Sequence, residues 1–289
     1  MTQSPTARRP LLLLIVLALA APLLGGCQER QKDAVEAATK ALEATIPLVE
    51  RDTKQVRDGM PPGAKLLAKH LDEDPGGDPE GLRRAIKKAR AGTHELAVAK
   101  SSFFIFVDPA GMVLRSEADP DLAAGKSLFK AVPSAKKMLE AKDKPHETFG
   151  FMHGLRGVEK GDDEQWIVGS QVSSGGKVTG AFVSGWSLRH YANYLEALTR
   201  LEMKKHVKDP TKAPPLSYVF VIKGARAYGG PVTPDSNAKI VAEMMIPEKL
   251  KDGTFTGETV LEERTFTVIG RPIPALGDDA AAAIMVSAI

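Results

Sequence analysis

The spacing of hydrophobic residues divides the chain into a helical first part and a strand-rich remainder. From residue 31 to 58, apolar residues recur every three or four positions among charged ones, which predicts an amphipathic helix. Five apolar β-formers follow at 103–107, and Asp-Pro-Ala-Gly at 108–111 predicts a tight turn into a second strand. Because the first run does not alternate with polar residues, we expect a hairpin whose first strand is buried on both faces.

Proline and glycine mark the expected breaks in the helical part. Residues 59–63 read Gly-Met-Pro-Pro-Gly, and a proline inside a helix removes a backbone donor, so we expect the first helix to end there. A second break is expected at Pro-Gly-Gly in 75–77. Asp78, Pro79 and Glu80 then supply an N-cap, a first-turn proline and a first-turn acid for a helix to about residue 100. The sequence predicts a broken helical collar.

The order of elements after residue 102 occurs twice. The predicted strands of the first set cover 103–107, 112–115, 147–153, 165–172 and 177–184, and those of the second set cover 218–222, 225–228, 254–261, 264–272 and 280–288. A predicted helix at 187–207 closes the first set, and a shorter one at 233–243 lies inside the second. Aligning Phe149 with Phe255, Trp166 with Phe266 and Phe182 with Ile284 keeps the element order intact. Five elements in the same order predict two similar modules.

Two phrases in the first module resemble a known family. Residues 106–128, FVDPAGMVLRSEADPDLAAGKSL, look like the signature of Cache domains, which are extracytoplasmic sensor modules. Residues 168–188, VGSQVSSGGKVTGAFVSGWSL, are similar to their closing hairpin. The resemblance covers 102–289. It implies an α+β fold, with an amino-terminal helical region followed by two PAS-like, Cache-like modules, each a central antiparallel sheet flanked by helices.

The amino terminus predicts export. Arg8 and Arg9 precede an apolar run from residue 11 to 24, which is too short for a bilayer-spanning helix of roughly 20 residues but suits a signal-peptide core. The run ends in Leu-Gly-Gly-Cys at 24–27, which resembles the lipobox of bacterial lipoproteins, where the cysteine is acylated. An ordinary cleaved signal with a chance cysteine is the alternative. Cys27 is the only cysteine, so no disulfide and no thiolate metal cluster is expected.

These patterns predict four segments and an extracytoplasmic, membrane-anchored protein. The segments are a lipoprotein signal peptide at 1–26, a helical stalk or collar at 27–101, a first, membrane-distal module with its closing helix at 102–209, and a smaller second module at 216–289. If the host is Gram-negative, Gln28 rather than aspartate after the cysteine favours the periplasmic face of the outer membrane. Loss of the signal removes two arginines and lowers the formal net charge from +3 to +1. The remaining net charge is too small to produce a strong positive electrostatic potential that would attract nucleic acid.

The resemblance implies a small-molecule site in the first module, between the sheet and the loop and helix that cover it. The candidate ligand-binding residues there are Phe149, Phe151, His153, Arg156, Trp166 and Gln171. Arg156 can clamp a carboxylate bidentately while Trp166 forms an apolar wall, which indicates an anionic ligand. The alternative is that Trp166 and the two phenylalanines belong to the core and that Arg156 is a solvated loop residue.

The sequence departs from the amino-acid-binding members of the family. Those members place an aspartate just after the last strand to pair with the ligand's ammonium group. This chain has Ser-Gly-Trp at 184–186 and Val-Ser-Ala at the equivalent 286–288. Binding of an amine or an amino acid is therefore not expected.

No enzymatic activity, cofactor or metal is predicted. Gly-Lys-Ser at 125–127 resembles the end of a P-loop, but Pro120 stands where the first glycine belongs. Ser-x-x-Lys at 127–130 and 134–137 has no Lys-Thr-Gly or Ser-Asp-Asn after it. The acidic loop at 72–78 lacks the ligand spacing of an EF-hand, so we expect a solvated loop.

These sequence features and the resemblance predict a protein that senses a small-molecule ligand. Receptors of this family continue into a membrane helix and an output domain, whereas no such sequence follows residue 289, so we expect the signal to pass to a partner protein. The alternative is an envelope lipoprotein that serves as a scaffold for protein-protein interactions and binds no small ligand.

Overall fold

The computed structural model describes residues 11–73, 78–100, 103–155, 164–208 and 214–288, with side chains from residue 28 onward. The helices are α1 (Leu11–Glu73), α2 (Pro79–Gly92), α3 (His94–Val98), α4 (Leu128–Ala131), α5 (Leu188–His206), α6 (Asp235–Glu243) and α7 (Ile246–Lys249), with 3-10 turns at Pro133–Glu140 and Pro274–Leu276. The strands are β1 (Phe103–Val107), β2 (Val113–Ser116), β3 (His146–Gly150), β4 (Gln165–Ser174), β5 (Lys177–Ser187), β6 (Leu216–Lys223), β7 (Arg226–Gly229), β8 (Phe255–Leu261), β9 (Arg264–Pro272) and β10 (Ala280–Ser287).

The strands form two antiparallel five-stranded sheets with the same order. The first sheet runs β2-β1-β5-β4-β3 and the second runs β7-β6-β10-β9-β8. The predicted α+β fold with two like modules is therefore confirmed. The predicted hairpin is also confirmed, because all five residues of β1 are buried and Gly111 ends the turn with φ +86°, a conformation that favours glycine.

The residue alignment between the modules is wrong at two of its three positions, although the order of elements is right. Phe149 packs toward the core shared with α1, whereas Phe255 packs against the outer cluster of the second sheet. Phe182 and Ile284 both face α1, as their alignment requires. Trp166 also faces α1, but Phe266 lies on the opposite face of its sheet. A one-residue shift turns every side chain of a strand to the other face. On β9, Ile269 is the residue that packs toward α1.

The predicted break at residues 59–63 does not exist, because α1 runs without interruption from Leu11 to Glu73. The two glycines in this stretch allow close packing instead of ending the helix. A Cβ at Gly59 would lie 2.6 Å from the Leu96 side chain, and one at Gly63 would lie 2.6 Å from Leu96 and 3.1 Å from Phe182. Burial of this stretch against α3 and β5 outweighs the two missing proline donors.

The helix predicted from Asp78 to residue 100 is present in two pieces. Asp78 caps it as expected, since its carboxylate accepts the backbone N–H groups of Glu80 at 3.2 Å and Gly81 at 3.1 Å. The break falls at Thr93, whose extended backbone separates α2 from α3. The hydroxyl of Thr93 returns to the carbonyl of Ala89 at 2.9 Å.

The largest core cluster lies between α1 and the inner faces of both sheets. It includes Leu42 and Val49 from α1, Trp186 from the first sheet, and Ile284 from the second. Separate clusters fill the outer face of each sheet. Among the residues that the structure describes, no helix combines the length and apolar content needed to cross a membrane.

One side chain near the start of α1 contacts the last strand. Gln31 accepts a hydrogen bond from the backbone N–H of Ala288 at 2.7 Å, and its amide donates to the carbonyl of Val286 at 3.3 Å and the hydroxyl of Thr267 at 3.1 Å. Gln31 thus ties α1 to β9 and to the end of β10 in the second sheet.

Candidate functional site

The face of the first sheet that points away from α1 is packed by its own apolar side chains. Residues from the strands and from the turn that covers them form one cluster, including Phe103, Ile105, Val107, Met138, Ile167 and Val183. Packing there is tight, because a Cβ at Gly169 would lie 2.5 Å from the Met138 sulfur. The described residues therefore fill the place where the sequence predicts a ligand.

The structure does not bring together the five predicted ligand-binding residues that it describes. Trp166 is fully buried on the α1 side of the sheet. His153 is exposed, and its backbone carbonyl accepts a hydrogen bond from the Lys126 ammonium at 3.0 Å. Gln171 lines a separate cavity of about 380 Å³ beside Lys65. Arg156 lies outside the described residues.

The remaining two, Phe149 and Phe151, contact the second module. The Lys223 ammonium lies 4.2 Å from the centre of the Phe149 ring, and the Arg226 guanidinium lies 4.7 Å from that of Phe151. Both are cation–π contacts. Both aromatic rings are half-buried between the modules. A cationic side chain of β6 covers one ring, and a cationic side chain of β7 covers the other.

Arg57 connects α1 to both modules at the same place. Its guanidinium donates three hydrogen bonds to the Glu147 carboxylate, at 3.0, 3.2 and 2.7 Å, and one to the carbonyl of Ala275 at 2.6 Å. Glu147 also accepts the indole N–H of Trp166 at 2.9 Å. We call Arg57, Glu147, Trp166 and Ala275, with the two cation–π pairs, the inter-module junction.

A fourth contact extends the junction at its edge. The Tyr228 hydroxyl donates to the Glu164 carboxylate at 2.9 Å, which links β7 to the residue before β4. Sequence reasoning missed Arg57, Glu147 and Tyr228 because each is an ordinary charged or aromatic residue. Arg57 and Glu147 are 90 positions apart, and no local pattern relates them.

A column of four aromatic rings runs from the junction along α1. Ring centres are separated by 4.3 Å for Trp166 and Trp186, 4.6 Å for Trp186 and Tyr191, and 5.7 Å for Tyr191 and Tyr194. The Tyr191 hydroxyl donates to the Asp52 carboxylate at 3.1 Å. Asp52 is buried and is also held by its neighbour on α1, an arginine at 2.8 Å.

Burial is the main cause that raises the pKa of Tyr191 above its usual value, and the nearby Asp52 charge adds to it. The unfolded chain releases this proton near pH 10, whereas the folded chain retains it. The stability contributed by neutral Tyr191 is therefore complete below pH 10 and is lost as the pH rises beyond it.

We expect the free energy of unfolding to fall above pH 10 by up to about 1.4 kcal/mol per pH unit for this tyrosine. Urea unfolding of wild type and Tyr191→Phe between pH 8 and 11 measures the effect, and the variant should show a shallower decline. Tyr228→Phe should act in the same direction, since burial and then Glu164 raise the pKa of Tyr228. Equal slopes in all three proteins would contradict this account.

One cavity lies beside the carboxyl-terminal end of α1. It measures about 560 Å³ and has walls from α1, α2, β1, β2 and the β4–β5 hairpin; we call it the α1–α2 cavity. A second cavity of about 320 Å³ lies between the end of α5 and the start of β6. A third, of about 250 Å³, opens beside Tyr218 and Asn237 in the second module.

No protein-family model matches the chain, and no curated protein matches it. Among solved structures, it is similar to a domain of a sensory box/GGDEF family protein from Vibrio parahaemolyticus, with 10% identity over 89% of this chain and 97% of that chain and a TM-score of 0.51. The chain has the same fold as this domain, with a helical amino-terminal region followed by two PAS-like, Cache-like modules.

Two more distant similarities have TM-scores below 0.5 and add no argument. The extracellular domain of the histidine kinase vpHK1S-Z8 is 12% identical, with 89% of this chain and 92% of that chain covered and a TM-score of 0.49. The ligand-binding domain of Mlp24 with asparagine is 11% identical, with 90% and 94% covered and a TM-score of 0.47.

Proposed function

We propose that the protein is a lipid-anchored extracytoplasmic sensor that recognises a small ligand in its first module and signals through a partner protein. One observation supports this most directly: α1 packs against both sheets in one continuous core, and Arg57 on α1 holds Glu147 of the first module and Ala275 of the second. A helix shared in this way allows one module to respond to the other.

The junction supplies the physical coupling that a sensor needs. Arg57 cannot keep its hydrogen bonds to both Glu147 and Ala275 if α1 moves relative to either module. A ligand that binds one packing of α1 better than another shifts the population toward that packing, by no more than its difference in affinity. The partner protein then reads the position of α1 or of the second module.

The six predicted residues remain a proposed ligand site. A ligand that reaches Phe149 or Phe151 has to displace Lys223 or Arg226 from the ring faces. Such a ligand would loosen the junction as it binds. Arg156 is the member that we propose to pair with a ligand carboxylate.

The packed outer face of the first sheet favours a second candidate function. As far as the described residues show, side chains of the sheet and of its covering turn pack this face against each other. In this alternative, the two modules form a rigid envelope scaffold that binds proteins and responds to no small molecule.

A thermal-shift screen of the chain without residues 1–26 against organic acids, amines and purines separates the two functions. A ligand at about 100 times its dissociation constant stabilises the folded state by roughly 2.7 kcal/mol. A sensor should show such a shift for at least one compound, and Arg156→Ala should remove a shift caused by an organic acid. No shift across the three classes would favour the scaffold.

The proposed anchor has its own test. Cys27→Ser in the full chain should move the protein from the membrane fraction to the soluble extracytoplasmic fraction, because the acyl chains supply the membrane affinity. Fractionation of the host followed by immunoblotting measures the change, with Ser101→Ala as a control that leaves the lipobox intact. A variant that stays with the membrane would count against lipidation at residue 27.

A further inference from the structure

The α1–α2 cavity has the size and construction of a small-molecule site. Its volume of about 560 Å³ falls within the range of roughly 300–1,000 Å³ that is usual for such sites. It lies on the α1 side of the first sheet, opposite to the face where the sequence predicts the ligand. Its walls come from two helices and from strands of the sheet, so its occupant contacts α1 directly.

The inner part of the cavity is apolar. Ala68 of α1 and Phe106 of β1 are nearly fully buried there, and Leu71 and Leu82 are partly buried. Leu114 on β2 is 45% exposed and also lines the cavity. Covering these side chains with an apolar group would remove them from water, at about 25 cal/mol per Å².

The charged groups that line the cavity leave an excess of negative charge. Arg115 is already paired: its Nε donates to the carbonyl of Pro79 at 3.1 Å, and its guanidinium lies 3.6 Å from Asp121 and 4.0 Å from Glu80. Neither of these two acids lines the cavity. Arg115 is therefore not available to hold an anion.

Asp72 is the carboxylate best placed to meet a ligand. One of its oxygens accepts the Ser174 hydroxyl at 2.6 Å, and within the described part of the chain no cation lies at ion-pair distance from it. Asp78 also lines the cavity, but its oxygens accept the first N–H groups of α2 and one of them lies 3.7 Å from the Arg84 guanidinium, so Asp72 carries the charge that is left without an ion pair among the described lining residues. A carboxylate at the rim above an apolar interior is complementary to a positively charged head on an apolar body.

We infer that the α1–α2 cavity, rather than the six residues predicted from the sequence, is the ligand site of the first module and that it binds a small organic cation with an apolar body. The inference rests on the proposed sensor function and names its site. The cation pairs with Asp72, and the apolar body lies against Phe106, Leu82 and Leu114. The ligand then bridges α1 and the first sheet, so its binding bears on the helix that both modules share.

Three probes with one apolar body and different heads test the charge preference. We choose 4-phenylbutylamine, 4-phenylbutyrate and 4-phenylbutanol, titrated by isothermal calorimetry into the chain without residues 1–26. The amine should bind at least tenfold more tightly than the butyrate, with the alcohol between them. Equal affinities for the amine and the butyrate, or binding of none of the three at millimolar concentration, would overturn the inference.

Two variants with matched controls test the location. Leu114→Trp should fill the cavity and weaken amine binding at least tenfold, whereas Leu201→Trp, at a similarly exposed leucine on α5, should leave it unchanged. Asp72→Asn should weaken amine binding about tenfold, and Glu73→Gln, which removes the same charge from the next residue, should change it less than threefold. Circular dichroism confirms that each variant folds. Affinity unchanged in Leu114→Trp would overturn the inference.

The metabolite screen distinguishes failure of this site from failure of the sensor function. A metabolite whose thermal shift persists in Leu114→Trp would place the ligand elsewhere, so the cavity inference would fail while the sensor function stood. No metabolite shift and no probe binding would reject both. A shift that is lost in Leu114→Trp and kept in Leu201→Trp would support both.

Discussion

Replacing Trp166 by alanine is expected to lower the free energy of unfolding by about 3–5 kcal/mol. Trp166 is fully buried, its ring lies 4.3 Å from that of Trp186, and its indole N–H donates to Glu147 at 2.9 Å. Truncation removes an aromatic contact, opens a cavity in the core shared with α1, and takes one donor from Glu147. Truncating a tryptophan that only lined an open ligand pocket would lower the free energy of unfolding far less.

Urea unfolding of Trp166→Ala, Trp166→Phe and Phe151→Ala measures this. Trp166→Phe keeps much of the ring and should cost less than the alanine variant. Phe151 is half-buried between the modules, so its alanine variant should cost about 1 kcal/mol. A loss below 1 kcal/mol for Trp166→Ala would show that the ring is not part of the core.

Gly63→Ala is expected to destabilise the protein by about 1–3 kcal/mol, although alanine normally favours a helix over glycine by about 1 kcal/mol. The added Cβ would lie 2.6 Å from Leu96 and 3.1 Å from Phe182. Both neighbours are fully buried, so neither side chain can move away without disturbing the packing of α3 and β5 on α1.

A double-mutant cycle with Leu96→Ala isolates the steric cause. In the Leu96→Ala background the nearest side-chain atoms are gone, so the penalty of Gly63→Ala should largely disappear. Thermal unfolding of the four proteins gives the coupling energy. If Gly63→Ala stabilises the wild type, the helix interior is not closely packed at this position.

Local chemistry was enough to predict much of the fold. The turn at Asp108 to Gly111, the cap at Asp78 and the order of strands all follow from residues that are neighbours in sequence. The repeat of five elements gave the two modules. Each of these signals depends on backbone preferences or on hydrophobic periodicity, and both can be read without knowing what packs against the segment.

Features decided by packing between distant segments were predicted poorly. Helix propensity at residues 59–63 argues for a break, but contacts with Leu96 and Phe182 decide the outcome. The misalignment of Phe266 arises because the alignment did not take into account which face of the second sheet α1 covers. The sequence of β9 alone does not reveal which of its faces packs against the helix. The junction could not be predicted because Arg57 and Glu147 meet only after both modules have formed.

The contact between Gln31 and Ala288 has a kinetic consequence. The two residues are 257 positions apart, and β10 is synthesised after the other nine described strands. Contacts of such high sequence separation raise the contact order and slow folding, because the entropy of closing a long loop is lost before the contact can stabilise the chain. We therefore expect folding to be completed late, with the apolar stripe of α1 exposed to aggregation until β10 is in place.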